Sequence, residues 1–176
     1  MRVISGKYKG KKLIGFDKEG TRPTKDRVKE SVFAMIQNKL RDSIFLDLFA
    51  GSGSIGIEAL SNGASKCYFV DNGKQIIKVL NENLNNIDNA VVINNSFLYA
   101  LNYFKDNNIT FDIIFLDPPY HLNLLNDALK YIEKYNLLKN DGLIICEYEE
   151  EVPLDIYDVI AIKKYGKTNV KIFKKS

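Results

Sequence analysis

Residues 44–56 read IFLDLFAGSGSIG, a run apolar on both faces that leads straight into Gly51, Gly53 and Gly56 in the spacing G-x-G-x-x-G. A strand covered on both faces, as in a parallel sheet, needs such a run. A helical pattern over 54–62 follows directly. Strand, glycine turn and helix in this order form a nucleotide-binding turn, because glycines let the backbone bend sharply and approach a ligand closely. Asp71 lies twenty residues after Gly51, at the end of the next apolar run, and is placed there to accept ribose hydroxyls. An adenosine-containing cofactor is implied.

The same alternation extends along the chain. CYFVD, VVIN, DIIFLD and LIICEYE are further short apolar runs, with helical patterns over 74–86, 96–107 and 124–135 between them. This predicts an α/β fold with a doubly wound, mostly parallel sheet. DVIAIKKYG and KTNVKIFKK, joined at Gly166 without a helix, predict an antiparallel hairpin at the sheet edge. Before the first run, Gly6 and Gly10 supply turn positions for a small β-hairpin. Thr24 is expected to cap a helix whose Val28, Val32, Ile36 and Leu40 recur every four residues. The reading is one domain, with a basic appendage over 1–23 and a catalytic core over 24–176.

At 176 residues, 45% hydrophobic and 27% charged, the chain is long enough to bury one core without disulfides or metal. No uncharged apolar stretch reaches the ~18 residues of a membrane span. The start, MRVISGKYKGKKL, lacks the apolar run of a secretory signal, which predicts a cytoplasmic protein. Cys67 and Cys146 lie in apolar runs and are expected to be buried reduced thiols, while a lone His121 argues against a zinc site or a triad. No metal and a monomeric state are expected. Charge is segregated: residues 1–30 carry ten Lys/Arg against four acids, 31–158 nine against eighteen, and 159–176 six against none. Two basic ends around an acidic body suit approach to a polyanion; solvation of the termini is the plainer alternative.

Asp47 bears on the choice of cofactor. An aspartate aimed at the ligand mouth would oppose a pyrophosphate by several kcal/mol, on the order set by Coulomb's law at low dielectric. S-adenosylmethionine carries an ammonium and a sulfonium and no phosphate, so it suits this position better than NAD. A turn-capping role is the structural alternative for Asp47. The second motif is Asp117-Pro118-Pro119-Tyr120, at the end of FDIIFLD. Two prolines cannot continue a central strand, so the chain leaves at the carboxyl edge, where open α/β sheets bind ligands. In the usual strand order this motif and the glycine turn flank one crevice. The Asp117 carboxylate and the Pro118 carbonyl are acceptors for the two N–H groups of an exocyclic amine, a poor nucleophile that needs positioning and charge stabilisation. Tyr120 offers a face on which a base can stack.

With these residues in place, DPPY after a DxFAGSG loop resembles the amino-methyltransferases of the Rossmann-like, S-adenosylmethionine-dependent class. ISGKYKGKKL and TRPTKDRVKESVF, set before LDLFAGSGSIGIEALSNGA, resemble more narrowly the small bacterial family that methylates the 2-amino group of a guanine in 16S ribosomal RNA. The resemblance covers nearly the whole chain. It implies S-adenosyl-L-methionine as cofactor and 16S ribosomal RNA as partner, with Asp47, Phe49, Gly51 and Gly53 on the methionine side, Asp71 on the ribose, and Asn95 and Ser96 near the adenine. Asp117, Pro118, Pro119 and Tyr120 would hold the target base. Thr24 and Arg27 would close over the site, and Arg2, Lys7, Lys9, Lys11, Lys12 and Arg22 would meet RNA. Asp71 and Asn95 stand where relatives commonly have glutamate and aspartate, and both keep acceptor capacity.

Other readings stay open on residues alone. A DNA or RNA adenine methyltransferase would use the same DPPY chemistry, but a DNA enzyme usually needs a larger target-recognition region. A protein glutamine methyltransferase is opposed by the basic appendage. An NAD-dependent oxidoreductase is opposed by Asp47, and a noncatalytic RNA-binding assembly factor by the two complete motifs.

Overall fold

Alternate side chains of the central strands serve opposite faces of one sheet, so that Phe45, Ile113 and Phe115 enter one core and Leu46, Ile114 and Leu116 the other. This is why the runs read as continuously apolar. The computed structural model describes residues 1–16, 22–119, 123–149 and 157–176, with backbone alone for 22–24. The elements are α1 (Arg22–Leu40), β1 (Ile44–Asp47), α2 (Ser54–Ser61), β2 (Lys66–Asp71), α3 (Lys74–Asn83), β3 (Ala90–Asn94), α4 (Phe97–Asp106), β4 (Phe111–Leu116), α5 (Leu124–Lys134), β5 (Leu138–Tyr148), β6 (Asp158–Tyr165) and β7 (Thr168–Lys174).

The sheet order is β3-β2-β1-β4-β5-β7-β6. β1 to β5 run parallel, and β7 pairs antiparallel with both β5 and β6, so the C-terminal hairpin closes the edge as expected. The order reverses between β1 and β4, where the chain ends diverge and leave a crevice. One core joins the N-terminal segment, α1 and α2 to the sheet through Val28, Val32, Ile36, Leu40 and Ile57. The opposite core is built by α4 and α5 around Phe104 and Phe111, whose rings meet edge to face at 4.8 Å. Cys67 and Cys146 are buried free thiols, and burial raises both pKa values. Among the described residues no helix is long and apolar enough to cross a membrane.

Three expectations shift. The expected N-terminal hairpin forms but is short: Arg2 lies opposite Lys12, and the N–H groups of Leu13, Val3 and Gly10 bond the carbonyls of Met1, Lys11 and Val3 across it. Its ladder stops because the next backbone donors turn to α2: Ile4 and Ser5 N–H bond the Glu58 carboxylate and Lys7 N–H bonds the Ser61 carbonyl. Helix α1 starts at Arg22, ahead of the cap expected at Thr24, since Pro23 suits a first turn whose N–H groups have no partner. Helix α3 ends at Asn83 and not near 86, where Asn86 takes a left-handed φ of 61°.

Candidate active site

The carboxyl ends of β1, β2, β4 and β5 open on a cavity of about 770 Å³. Each of the four strands delivers an acid there: Asp47, Asp71, Asp117 and Glu147 all line it. Asp47 is almost wholly buried, and its Oδ2 accepts a hydrogen bond of 3.1 Å from the Gly56 N–H in the first turn of α2. The turn-capping alternative is therefore part of its role. Burial pushes its pKa up to about 7; the Gly56 N–H opposes this, and repulsion from Asp117 and Asp71 adds to it. A cation entering the cavity would relieve that cost.

Asp71 holds the glycine turn in place. Its Oδ2 accepts from Gly51 N–H at 3.0 Å, and its Oδ1 from Asn72 and Gly73 N–H at 2.8 and 3.2 Å. A carboxylate has four acceptor positions, so one remains for a ligand hydroxyl. The rings of Phe49 and Phe97 meet at a tilt of 45° with their centroids 5.5 Å apart and form an apolar wall. Beside them, Asn95 Oδ1 accepts from Ser96 N–H at 2.8 Å, and Ser96 Oγ caps α4 by accepting from Tyr99 N–H at 3.2 Å. Both line the cavity, with their oxygens partly committed to local structure. Gly53 departs from the expectation, since it does not line the cavity. It precedes α2 at φ 82°, and an added Cβ would lie 2.5 Å from Leu80 Cδ1. At Gly56 a Cβ would meet Phe69 at 2.2 Å, so this glycine lets α2 pack closely on β2.

Across the crevice, Asp117 and the buried Pro118 follow β4 directly and line the cavity with Pro119. β1 and β4 are hydrogen-bonded neighbours, with Asp47 opposite Phe115, so the glycine turn and the proline turn share one mouth. Burial raises the pKa of Asp117, and Lys25 on α1 lowers it. Glu147 is raised as well, first by burial and then by Asp117, with Lys25 again opposing. Paired acceptors, a buried carboxyl group that a cation would ionise and an apolar wall can hold a cationic, hydroxyl-bearing ligand beside an N–H-bearing one.

The model of the family described as conserved hypothetical protein 95 matches residues 1–174. The chain belongs to that family. It is similar to "Putative rRNA methyltransferase YlbH" of Bacillus subtilis, 42% identical over 99% of each chain. It is also similar to "Ribosomal RNA small subunit methyltransferase D" of Haemophilus influenzae, 42% identical over 88% of this chain and 81% of that protein. Among solved structures, "Putative methyltransferase yhhF" of Escherichia coli superposes with a TM-score of 0.85 at 28% identity, covering 100% of this chain and 98% of its own.

In this member of the family, of the residues expected at the site, Asp47, Phe49, Gly51, Asp71, Asn95, Ser96, Asp117, Pro118 and Pro119 are brought together. Tyr120 and His121 lie outside the described residues, as do the side chains of Arg22 and Thr24. Arg27 is exposed and away from the cavity; the turn of α1 that it shares presents Lys25 and Asp26 instead. Arg2, Lys7, Lys9 and Lys12 are exposed and Lys11 half-buried, all off the cavity wall. Lys7 pairs with Asp88 at 3.2 Å, and Lys11 donates to the Asn85 carbonyl at 2.9 Å. Of the C-terminal lysines, Lys171 packs over Tyr148 and Phe173, Lys174 pairs with Asp141 and Lys175 donates to the Leu138 carbonyl, while Lys163, Lys164 and Lys167 are exposed. Glu147 and Lys25 were missed from sequence. The signal for Glu147 was present, since it is the acid at the end of an apolar run, like Asp47, Asp71 and Asp117.

Proposed function

We propose that this protein transfers the methyl group of S-adenosyl-L-methionine to the exocyclic 2-amino group of a guanine in 16S ribosomal RNA, presented alone or within an assembling small subunit. The observation that carries the reading is the shared cavity in which Asp117 and Pro118, leaving β4, face the glycine turn that leaves β1. The names of the relatives support an rRNA target. The residues present fit the cofactor: a buried Asp47 suits its positive end, Asp71 its ribose, and the Phe49–Phe97 wall its adenine, with no basic cradle for a pyrophosphate among the described wall residues other than Lys25 and Lys29.

When bound, the cofactor supplies an electrophilic methyl group on a sulfonium. The protein's own residues solve the other half of the problem. A guanine 2-amino nitrogen is a weak nucleophile because its lone pair is delocalised into the ring. Asp117 and the Pro118 carbonyl accept its two N–H groups, orient the lone pair, and stabilise the positive charge that develops on nitrogen as it attacks. Asp117, with its raised pKa, then provides a carboxylate that can hold the proton shed by the methylated amine. The proline turn keeps both acceptors in place without reorganisation.

The test is transfer of label from radiolabelled S-adenosylmethionine to undermethylated small subunits, naked 16S RNA and duplex DNA, followed by digestion to nucleosides and mapping of the labelled position. The expected product is 2-methylguanosine. Label confined to N-methyladenine would overturn the substrate while keeping the site chemistry, and no label in any nucleic acid would overturn the reading.

A further inference from the structure

β4 and β5 run parallel with Leu116 opposite Cys146, so the residues that follow them, Asp117 and Glu147, lie side by side at the same mouth. Both line the cavity, and among the described residues no backbone N–H or hydroxyl group donates to either carboxylate. Both carboxylates are half-buried, interact with Lys25 and face the cavity, where N–H groups of a ligand can reach them. The proposed mechanism uses only one of these two carboxylates.

The edge of guanine presents three N–H groups in a row, two on the 2-amino nitrogen and one on ring nitrogen N1. A purine amine of the adenine type presents its two amino N–H groups beside a ring nitrogen that bears a lone pair. Asp117 and the Pro118 carbonyl account for the amino group in either case, so they cannot tell the two edges apart. A second carboxylate beside Asp117 can: it attracts an N1–H and repels an N1 lone pair. Resting on the guanine reading above, we infer that Glu147 accepts the N1–H of the target base and so makes this site selective for guanine. Burial and the neighbouring Asp117 raise the Glu147 pKa to about 8 against the opposing charge of Lys25, so the ionised form that accepts an N1–H, and with it the preference, strengthens as pH rises towards 8, where the two RNAs are compared.

The experiment compares two RNAs, in whichever form the labelling assay finds to be methylated, carrying either guanosine or 2-aminopurine riboside at the mapped position. 2-Aminopurine keeps the 2-amino group but has a lone pair at N1. The wild-type protein should prefer guanosine in kcat/KM by at least tenfold. Glu147→Gln, whose amide N–H can meet the N1 lone pair, should reduce that preference by tenfold or more while leaving cofactor affinity within about threefold. A structural role would lower the rates on both RNAs together; an unchanged ratio overturns the inference, as does a wild-type protein without preference. Should Glu147→Gln fail to fold, Glu147→Asp keeps the charge and must keep the preference, and its loss there overturns the inference equally. Failure of the wild-type protein on guanosine RNA itself would overturn the guanine reading, and this inference with it.

Discussion

Lys29 and Glu58 form an ion pair at 3.1 Å that is removed from solvent, with side chains 4% and 1% exposed. Lys29 Nζ also donates to the Arg2 carbonyl at 2.9 Å and to Ser54 Oγ at 3.0 Å, the latter on the first residue of α2. Glu58 in turn accepts the backbone N–H groups of Ile4 and Ser5. The pair thus joins the N-terminal segment and α1 to the helix that follows the glycine turn. Taking two charges out of water is costly, and here the cost is offset because nearly every donor and acceptor has a partner.

Glu58→Ala leaves the Lys29 ammonium buried without its counter-ion and two backbone N–H groups without acceptors. Its expected cost is about 3–5 kcal/mol in unfolding free energy, with early proteolysis of residues 1–16. Urea titration and limited proteolysis read both. An apolar double variant, Lys29→Met with Glu58→Leu, should recover only part of the loss, since the Ile4 and Ser5 N–H groups stay unpaired. Full recovery would show that the N-terminal segment does not depend on this carboxylate.

Asp47 predicts a stability profile with a definite sign. Its folded pKa, about 7, lies above the ordinary carboxylate value, so the folded state holds the proton more tightly. The stabilisation this brings is complete below the unfolded pKa of ~4 and is lost as pH rises through about 7. Asp47→Asn keeps an acceptor for the Gly56 N–H and does not titrate. Free of ligand, the variant should gain on the wild type as pH rises from 5 to 8, by on the order of 2–4 kcal/mol, while its affinity for S-adenosylmethionine falls. Urea unfolding at both pH values and calorimetric titration of the cofactor measure the exchange; a gap that does not widen with pH contradicts the burial argument.

Asp117→Ala removes an acceptor that the mechanism uses only for the amine. Methyl transfer should fall by about 10²–10³, while cofactor affinity stays within a few-fold. Equal loss of both would place Asp117 on the cofactor side instead. In the wild type the carboxylate must be ionised to accept the N–H group. Because burial raises its pKa, the rate should decline on the acid side well above the ~4 of an ordinary aspartate.

The basic N-terminal segment predicts a salt dependence. Replacing Lys7, Lys9 and Lys11 together should flatten the log–log slope of RNA binding against salt, by up to ~0.7 for each phosphate of single-stranded RNA that these lysines neutralise. The Lys7–Asp88 pair does not prevent this, since both partners are exposed and such pairs hold weakly. Filter binding over a salt series gives the slope. No change would move the RNA-facing surface elsewhere.

Much of the fold and most of the site are legible in the sequence. The runs at 44–50, 67–71, 91–94 and 112–117 announce buried strands because apolar residues on both faces have few other uses, and the G-x-G-x-x-G turn with Asp71 twenty residues on announces a ligand mouth. Position along the chain was also enough to bring Asp117 and Pro118 to that mouth, because the doubly wound order sets β4 beside β1.

Other facts depend on which chain segments meet across the tertiary structure. Gly53 fits the motif as well as Gly51 does, yet only the packing of Leu80 against it shows that it serves the fold and not the cavity wall. Arg27 and Lys25 stand on the same turn of α1, and the rotation of that helix on the sheet decides that Lys25 faces the acids. Residue type and local spacing determined the strands, the helices and the two motifs, since these follow from backbone geometry and periodicity. The pairing of Lys29 with Glu58, the pKa of Asp47 and the closeness of Glu147 to Asp117 were decided by tertiary structure alone, because burial and Coulomb interaction depend on distance through space and not along the chain.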